Sequence, residues 1–274
     1  MLKRLKKYLY QLEALVIKDI KLQARYKIKF LVVSFVPFTS FLIPFLIFRK
    51  LFQAIGDESF GIWTPENYII FILTGIFVVI ILGLLSRYGN TLKREKYWKT
   101  LPGIFMSPVN FYVLLLSRII SELIIYSIPL TLIFILCFII TDATLITIIA
   151  MIAIYFMAAL FVASIGLAIG SFRMSVEGNF NAFFIFIKFF LIFSCYKYPR
   201  EFYPSFLEFL IIYNPFYYFF DLMRLVLILG FENVVFNPKY LNHFIIVILT
   251  TILVPILSIL FFKHIYKKYG ITGY

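Results

Sequence analysis

Residues 144–170 read TLITIIAMIAIYFMAALFVASIGLAIG, twenty-seven consecutive positions without a charged side chain. A helix needs about 20 mostly apolar residues to cross a bilayer, so this stretch by itself predicts a transmembrane helix. Four other runs meet the same standard: Phe30 to Phe48, Tyr68 to Ser86, Ile119 to Ile140 and His243 to Phe262. A sixth, Phe180 to Tyr196, is shorter and carries Lys188. A lysine at a helix centre costs about 2.5–3.5 kcal/mol on the insertion scale, and each apolar neighbour returns about 0.3–0.6 kcal/mol. The apolar residues between Phe183 and Phe193 bring the sum near or below zero, so the segment is expected to insert.

The bulk composition agrees. Of 274 residues, 63% are apolar and 14% charged, with mean hydropathy +0.99. Soluble domains sit nearer half apolar and a quarter charged. The length suits one membrane domain and leaves none over for a soluble enzyme domain. A net charge of +13 would suggest nucleic acid in a soluble protein. Here Lys and Arg cluster at the ends of apolar runs, which points to the membrane and away from nucleic acid. Cys137 and Cys195 both lie in apolar surroundings and form neither a metal pattern nor a disulfide framework. The first run, without a small-residue cleavage site after it, reads as an uncleaved span.

The stretch from Phe202 to Leu229 is apolar but interrupted by Asn214-Pro215, which should end one helix and start another. That leaves pieces of 12 and 14 residues, each too short to span. A re-entrant or interfacial hairpin is expected, with Asp221 and Arg224 pairing across one helix turn. Orientation follows from the Lys and Arg bias. With the N-terminus inside, cytosolic segments hold 18 of these residues and external segments 6, the other two being Arg118 and Lys188. The expected fold is therefore all-α, a polytopic membrane protein with six transmembrane helices and both termini in the cytosol. It carries an N-terminal amphipathic interface helix (1–28), a six-span domain (29–274), a cytosolic loop (87–110) and an external re-entrant region (198–229) before the last span.

In residues 1–28, Leu2, Leu5, Leu9, Leu12, Val16 and Ile20 recur at helical spacing while Lys3, Lys6, Lys7, Lys18 and Lys21 fall mostly off that stripe. Such a helix lies along the cytosolic leaflet, either as an anchor enforcing topology or as a docking surface for a soluble partner. The loop from Arg87 to Asn110 mixes Lys93, Arg94, Glu95 and Lys96 with Tyr97, Trp98, Leu101 and Phe105. A spacer would be polar throughout, whereas aromatics among charges look like an interface.

Catalytic constellations are absent. There is no HExxH, no Cys-His cluster and no GxxxxGK[ST], so ATP is not bound here through a P-loop. No cofactor or metal is expected on this chain. Near the membrane, Arg118 and Glu122 are spaced i, i+4 at the cytosolic start of the third span and can pair. Lys188 has no partner on its own helix. Intramembrane charges face a bundle interior or a wet cavity; the alternatives are a lysine packed against a carboxylate or one snorkelling to a leaflet surface. Residues 196–220 hold 12 Phe or Tyr among 25, Tyr196, Tyr198 and Tyr217 included. They read either as an interfacial aromatic belt or as a stacking surface for a sugar or lipid headgroup.

The pattern resembles the permease subunits of ABC type-2 exporters. Three features carry the resemblance in the family's order. One is the basic amphipathic N-terminal helix. Another is Glu95 leading into Trp98-Lys99-Thr100-Leu101 and then Met106-Ser107-Pro108-Val109. The last is Tyr198-Pro199, Tyr203-Pro204, Asn214-Pro215 and then Asp221 with Arg224. The sequence departs from the family pattern at Lys99, where glycine is usual. The resemblance implies that the loop after span two is a coupling helix docking on a separate ABC ATPase subunit, with Glu95, Lys96, Trp98, Leu101 and Phe105 at that contact. It implies two copies of the chain with two ATPases in the plasma membrane, ATP and Mg being bound by the ATPase. Glu122, Lys188, Tyr196, Tyr198 and Tyr217 are the candidate substrate path, and Pro199, Pro204, Asn214, Pro215, Asp221 and Arg224 the framework of the re-entrant region.

A self-sufficient secondary carrier is the competing reading. It should show symmetric halves and an ion-coupling carboxylate at mid-membrane, and neither is visible in the sequence. A membrane enzyme acting on lipids lacks catalytic residues. Drug, lipid and lipid-linked glycan all remain as substrates.

Overall fold

The computed structural model describes residues 2–25, 27–39, 41–55, 63–64, 67–99, 103, 106, 110–141, 143–175 and 181–269. The described residues are all-helical, with 88% of them in helix. The helices are α1 (Leu2–Ala24), α2 (Lys27–Thr39), α3 (Leu42–Ile55), α4 (Tyr68–Tyr97), α5 (Phe111–Ile125), α6 (Ser127–Ile140), α7 (Leu145–Ser175), α8 (Asn181–Ile192), α9 (Glu208–Ile212), α10 (Pro215–Leu229), α11 (Phe231–Val235) and α12 (Leu241–Tyr269).

The charge-free stretch at 144–170 becomes α7, the centre of the molecule. It packs against α4, α10 and α12. Buried Ala158, Ala159 and Ala163 keep its surface shallow, which lets neighbouring backbones approach closely in a medium where apolar burial alone drives little association. Phe77, Val78 and Ile81 of α4 and Met223 and Val226 of α10 complete this core. Position in the bundle shows in the burial of the two longest apolar windows, 44% for the helix at 145–173 against 11% for the one at 238–268. α12 is thus an outer helix, its exposed Ile245, Ile248, Ile252 and Leu253 suited to lipid.

Among the described residues, α7 and α12 are long and apolar enough to cross a membrane alone, and up to four spans result if each bent pair counts as one. Two of the other predicted spans are interrupted, and proline chemistry explains both interruptions. The run Phe30 to Phe48 is divided between α2 and α3. Phe41 N–H donates to the Phe38 carbonyl at 3.3 Å, a tightened turn, and Pro44 lacks the N–H that would continue the ladder. The run Ile119 to Ile140 is divided between α5 and α6, bent by 59° where Pro129 removes a donor. α4 departs in the other direction: it continues past Ser86 to Tyr97, so the first half of the expected loop 87–110 is helical.

The Asn214-Pro215 break is present, and the chain turns there by 92°. The piece before it is not one helix of 12 residues. Pro199 and Pro204 each precede a 3-10 turn, Arg200–Phe202 and Ser205–Leu207, and only Glu208–Ile212 is α-helical. Each proline fixes its own φ and disfavours a helical residue before it.

α1 forms as the periodicity predicts, but it packs against α5. Its buried side carries Val16 and Asp19, flanked by half-buried Leu12 and Leu15, while Leu9 of the predicted stripe is exposed.

Candidate functional site

The last carbonyls of any helix lack intrahelical partners, and two of those of α8 are met by side chains from the segment that follows. Asn214 Nδ2 donates to the Phe190 carbonyl. The Tyr203 hydroxyl donates to the Ile192 carbonyl at 2.8 Å. Beyond α8 the chain reverses through Cys195 at φ 56°, which presents the Tyr196 carbonyl to Arg224 Nη2 at 3.2 Å. Asn214 is fully buried and also caps α10, its Oδ1 accepting the Phe216 N–H at 3.1 Å with Pro215 at the first helical position. One asparagine therefore ends α8 and starts α10.

Arg224 is the centre of this arrangement, 1% exposed. Its Nε donates to Thr74 Oγ1 at 3.3 Å, and its guanidinium lies 3.8 Å from the centroid of the Phe71 ring. A desolvated cation–π contact is worth about 2 kcal/mol. The geometry requires α4 to approach the turn after α8 closely: a Cβ at Gly75 would lie 3.1 Å from the Tyr196 carbonyl oxygen and overlap the Phe41 ring. The expected Asp221–Arg224 pair does not form. Asp221 Oδ2 lies 3.1 Å from His243 Nε2 of α12, and the rings of Tyr217, Tyr218 and Tyr240 surround that imidazole. Rotation along α10 separates the two charges, one facing α4 and the other α12.

Of the predicted path residues, the structure gathers Tyr196 and Tyr198 on the turn after α8 and Tyr217 at the start of α10. Tyr198 is exposed and Tyr217 buried. Arg200 pairs with Glu208, and that hydrogen bond holds its guanidinium above the ordinary range. Glu122 is buried on α5. Its helical neighbour Arg118 donates from Nη1 to Asp19 Oδ1 of α1 at 2.8 Å, a partner outside the predicted i, i+4 pair. Lys188 is exposed on α8, and exposed Ile185, Phe189 and Ile192 share its face.

Of the predicted coupling residues, Trp98 is 48% exposed at the end of α4, beside exposed Tyr97. Glu95 and Lys96 lie in the last turn of α4, with side chains outside the described part, and Leu101 and Phe105 lie outside the described residues. Lys99 adopts φ 56°, the left-handed conformation glycine takes at no steric cost. The one position where the sequence departs from the glycine of the family pattern is thus a position whose backbone favours glycine.

Asp19, Phe71, Thr74 and Gly75 were not marked by sequence reasoning. Asp19 left a signal: it falls three residues after Val16 on the apolar stripe of a basic helix. Thr74 and Phe71 left none, being two apolar-run residues among many.

These features describe a helical bundle whose turn after α8, re-entrant bend and α4 are locked by one buried arginine, and whose second long helix ends in an exposed aromatic corner. No curated protein matches the chain. The family described as ABC-2 family transporter protein matches residues 64–262, almost three quarters of the sequence and all of the locked region. The chain belongs to the ABC-2 transporter family, as a membrane-embedded permease component whose ATPase resides on a separate subunit.

Proposed function

We propose that this chain is the permease subunit of an ATP-driven exporter that moves a lipid-linked glycan, lipid or drug-like molecule out of the cytosol. Two copies assemble with two ATPase subunits in the plasma membrane, with six spans per copy and both termini cytosolic. ATP and Mg bind to the ATPase. The observation that carries this reading is the exposed Tyr97-Trp98-Lys99 corner at the end of α4, in a chain of this family. Exposed aromatics at a helix end, followed by a left-handed turn, form a surface suited to insertion into a partner's cleft. ATP-driven closure of the ATPases then rocks the two permeases apart.

Lys188 supports an anionic substrate. It sits 8 residues after Phe180, about 12 Å along the helix, amid an apolar exposed face. Contact with lipid at that depth costs about 2.5–3.5 kcal/mol, which an aqueous path between two copies avoids. A diphosphate-linked lipid suits such a cation. Purification in mild detergent tests the reading: an ABC ATPase co-purifies in equal amount with the chain, and recovery of the chain alone, with no ATPase in any mild detergent, contradicts it.

A further inference from the structure

We propose that the Asp19–Arg118 ion pair makes α1 and α5 one rigid body, so that motion of the 87–110 segment, which leads into α5, is delivered through α1 to the first span. This inference rests on the reading that the 87–110 segment docks on the ATPase.

Two ties join the helices. The side-chain Oε1 of Gln11 accepts the Asn110 N–H at 3.4 Å, and Asp19 Oδ1 accepts Arg118 Nη1 at 2.8 Å. Both ties link residues 99 apart in sequence, so the helices run parallel in a fixed register. The ties are separated by 8 residues on each helix, about 12 Å along the axes. Two attachment points at that spacing oppose both sliding and rotation, which apolar contact alone would permit.

Small residues flank the second tie on α5. Ser117 and Ser121 of α5 are buried, and their hydroxyls are turned onto carbonyls of their own helix, Leu114 at 2.8 Å and Arg118 at 3.0 Å. A small-xxx-small pair of this kind lets a second helix lie close. At the tie itself a carboxylate whose side chain is 4% exposed faces a guanidinium that is 13% exposed. Lys18 Nζ, at 3.7 Å from the same carboxylate oxygen, stands at the exposed rim. Buried ion pairs contribute little net stability but are strict about geometry, which is the property a register lock requires. α1 is followed by α2, which packs on α4 and α6, so displacement of α1 reaches the bundle.

The test uses the complex with its ATPase subunit in nanodiscs, with Cys137→Ser, Cys195→Ser and a reporter cysteine at Phe35 on the exposed face of α2. The measured quantity is the change in maleimide labelling rate at that cysteine on ADP–vanadate trapping. We expect a change of about fivefold or more in the parent, within the range of couplings between sites. Asp19→Asn, nearly isosteric but uncharged, loses that response while complex yield and ATP hydrolysis persist. Asp19→Glu, charged but longer, keeps part of it. A packing role predicts the reverse order, Asn harmless and Glu harmful. Should Asp19→Asn fail to insert, the double variant Asp19→Asn with Arg118→Met, which leaves no orphaned buried charge, inserts and still lacks the response. A parent without any response, or an Asp19→Asn or double variant that responds like the parent, overturns the proposal. Failure of any ATPase to join the wild-type chain instead overturns the export reading.

Discussion

The guanidinium of Arg224 lies 3.8 Å from the centroid of the Phe71 ring, joining a helix after the re-entrant bend to one that precedes it by some 150 residues. Among the described residues no carboxylate lies within ion-pair distance of this buried cation; an aromatic face, a threonine hydroxyl and a backbone carbonyl contact it instead. A compact ammonium lacks the planar fork and stacking face that make these contacts. Arg224→Lys is therefore expected to lower stability in detergent by about 2–3 kcal/mol, and Phe71→Leu by about 1–2 kcal/mol, the share of the cation–π contact. Thermal unfolding of the two variants checks the order; equal midpoints for Arg224→Lys and wild type would contradict it.

Asn214 offers a sharper comparison, because it accepts at the start of α10 and donates at the end of α8. Aspartate is as good a helix cap as asparagine, but it cannot donate to the Phe190 carbonyl. Asn214→Asp should therefore lose at least as much stability as Asn214→Ala, about 1–2 kcal/mol. An aspartate variant as stable as wild type would show that capping is the residue's only task. Thermal midpoints of the three proteins decide it.

Lys99 holds a left-handed backbone at φ 56°, which costs a residue with a Cβ about 1–2 kcal/mol. Lys99→Gly is expected to recover about 1 kcal/mol of local stability and to keep or raise the yield of complex with the ATPase. Lys99→Val, branched at Cβ, should lower that yield. Co-purification ratios measure both, and a lower yield for the glycine variant contradicts the assigned turn.

Legibility in the sequence followed how local the cause was. Residues 144–170 announced α7 because uniform apolarity over 27 positions has one physical outcome in a bilayer. Asn214-Pro215 announced its break because cap and proline act within three residues. Pro129 and Pro44 were equally visible but sit inside apolar runs, where the count of apolar residues masked the break. Arg224 was given the neighbour three positions away, Asp221, whereas its contacts come from Phe71, Thr74 and Tyr196. Asp19 and Arg118 lie 99 residues apart, and no periodicity connects them. The site was thus legible in its bends and illegible in its long-range pairs.

Lys188 tests the substrate class. Lys188→Met should insert normally and keep its ATPase partner, yet lose most export of a diphosphate-linked polyprenyl probe from proteoliposomes. Lys188→Arg should retain part of it, since the charge survives. Export at the wild-type rate by Lys188→Met would make the residue structural and remove the argument for an anionic substrate.

The proposed coupling to a separate ATPase runs through the corner after α4. Truncating a buried aromatic at an interface centre commonly costs about 2 kcal/mol or more. The direct measurement is ATP hydrolysis by the ATPase subunit in nanodiscs with wild-type permease, with Trp98→Ala and with Glu95→Lys. Loss of permease-stimulated hydrolysis in both variants, with folding and insertion intact, is the predicted result. Full stimulation and full complex yield in both would contradict it.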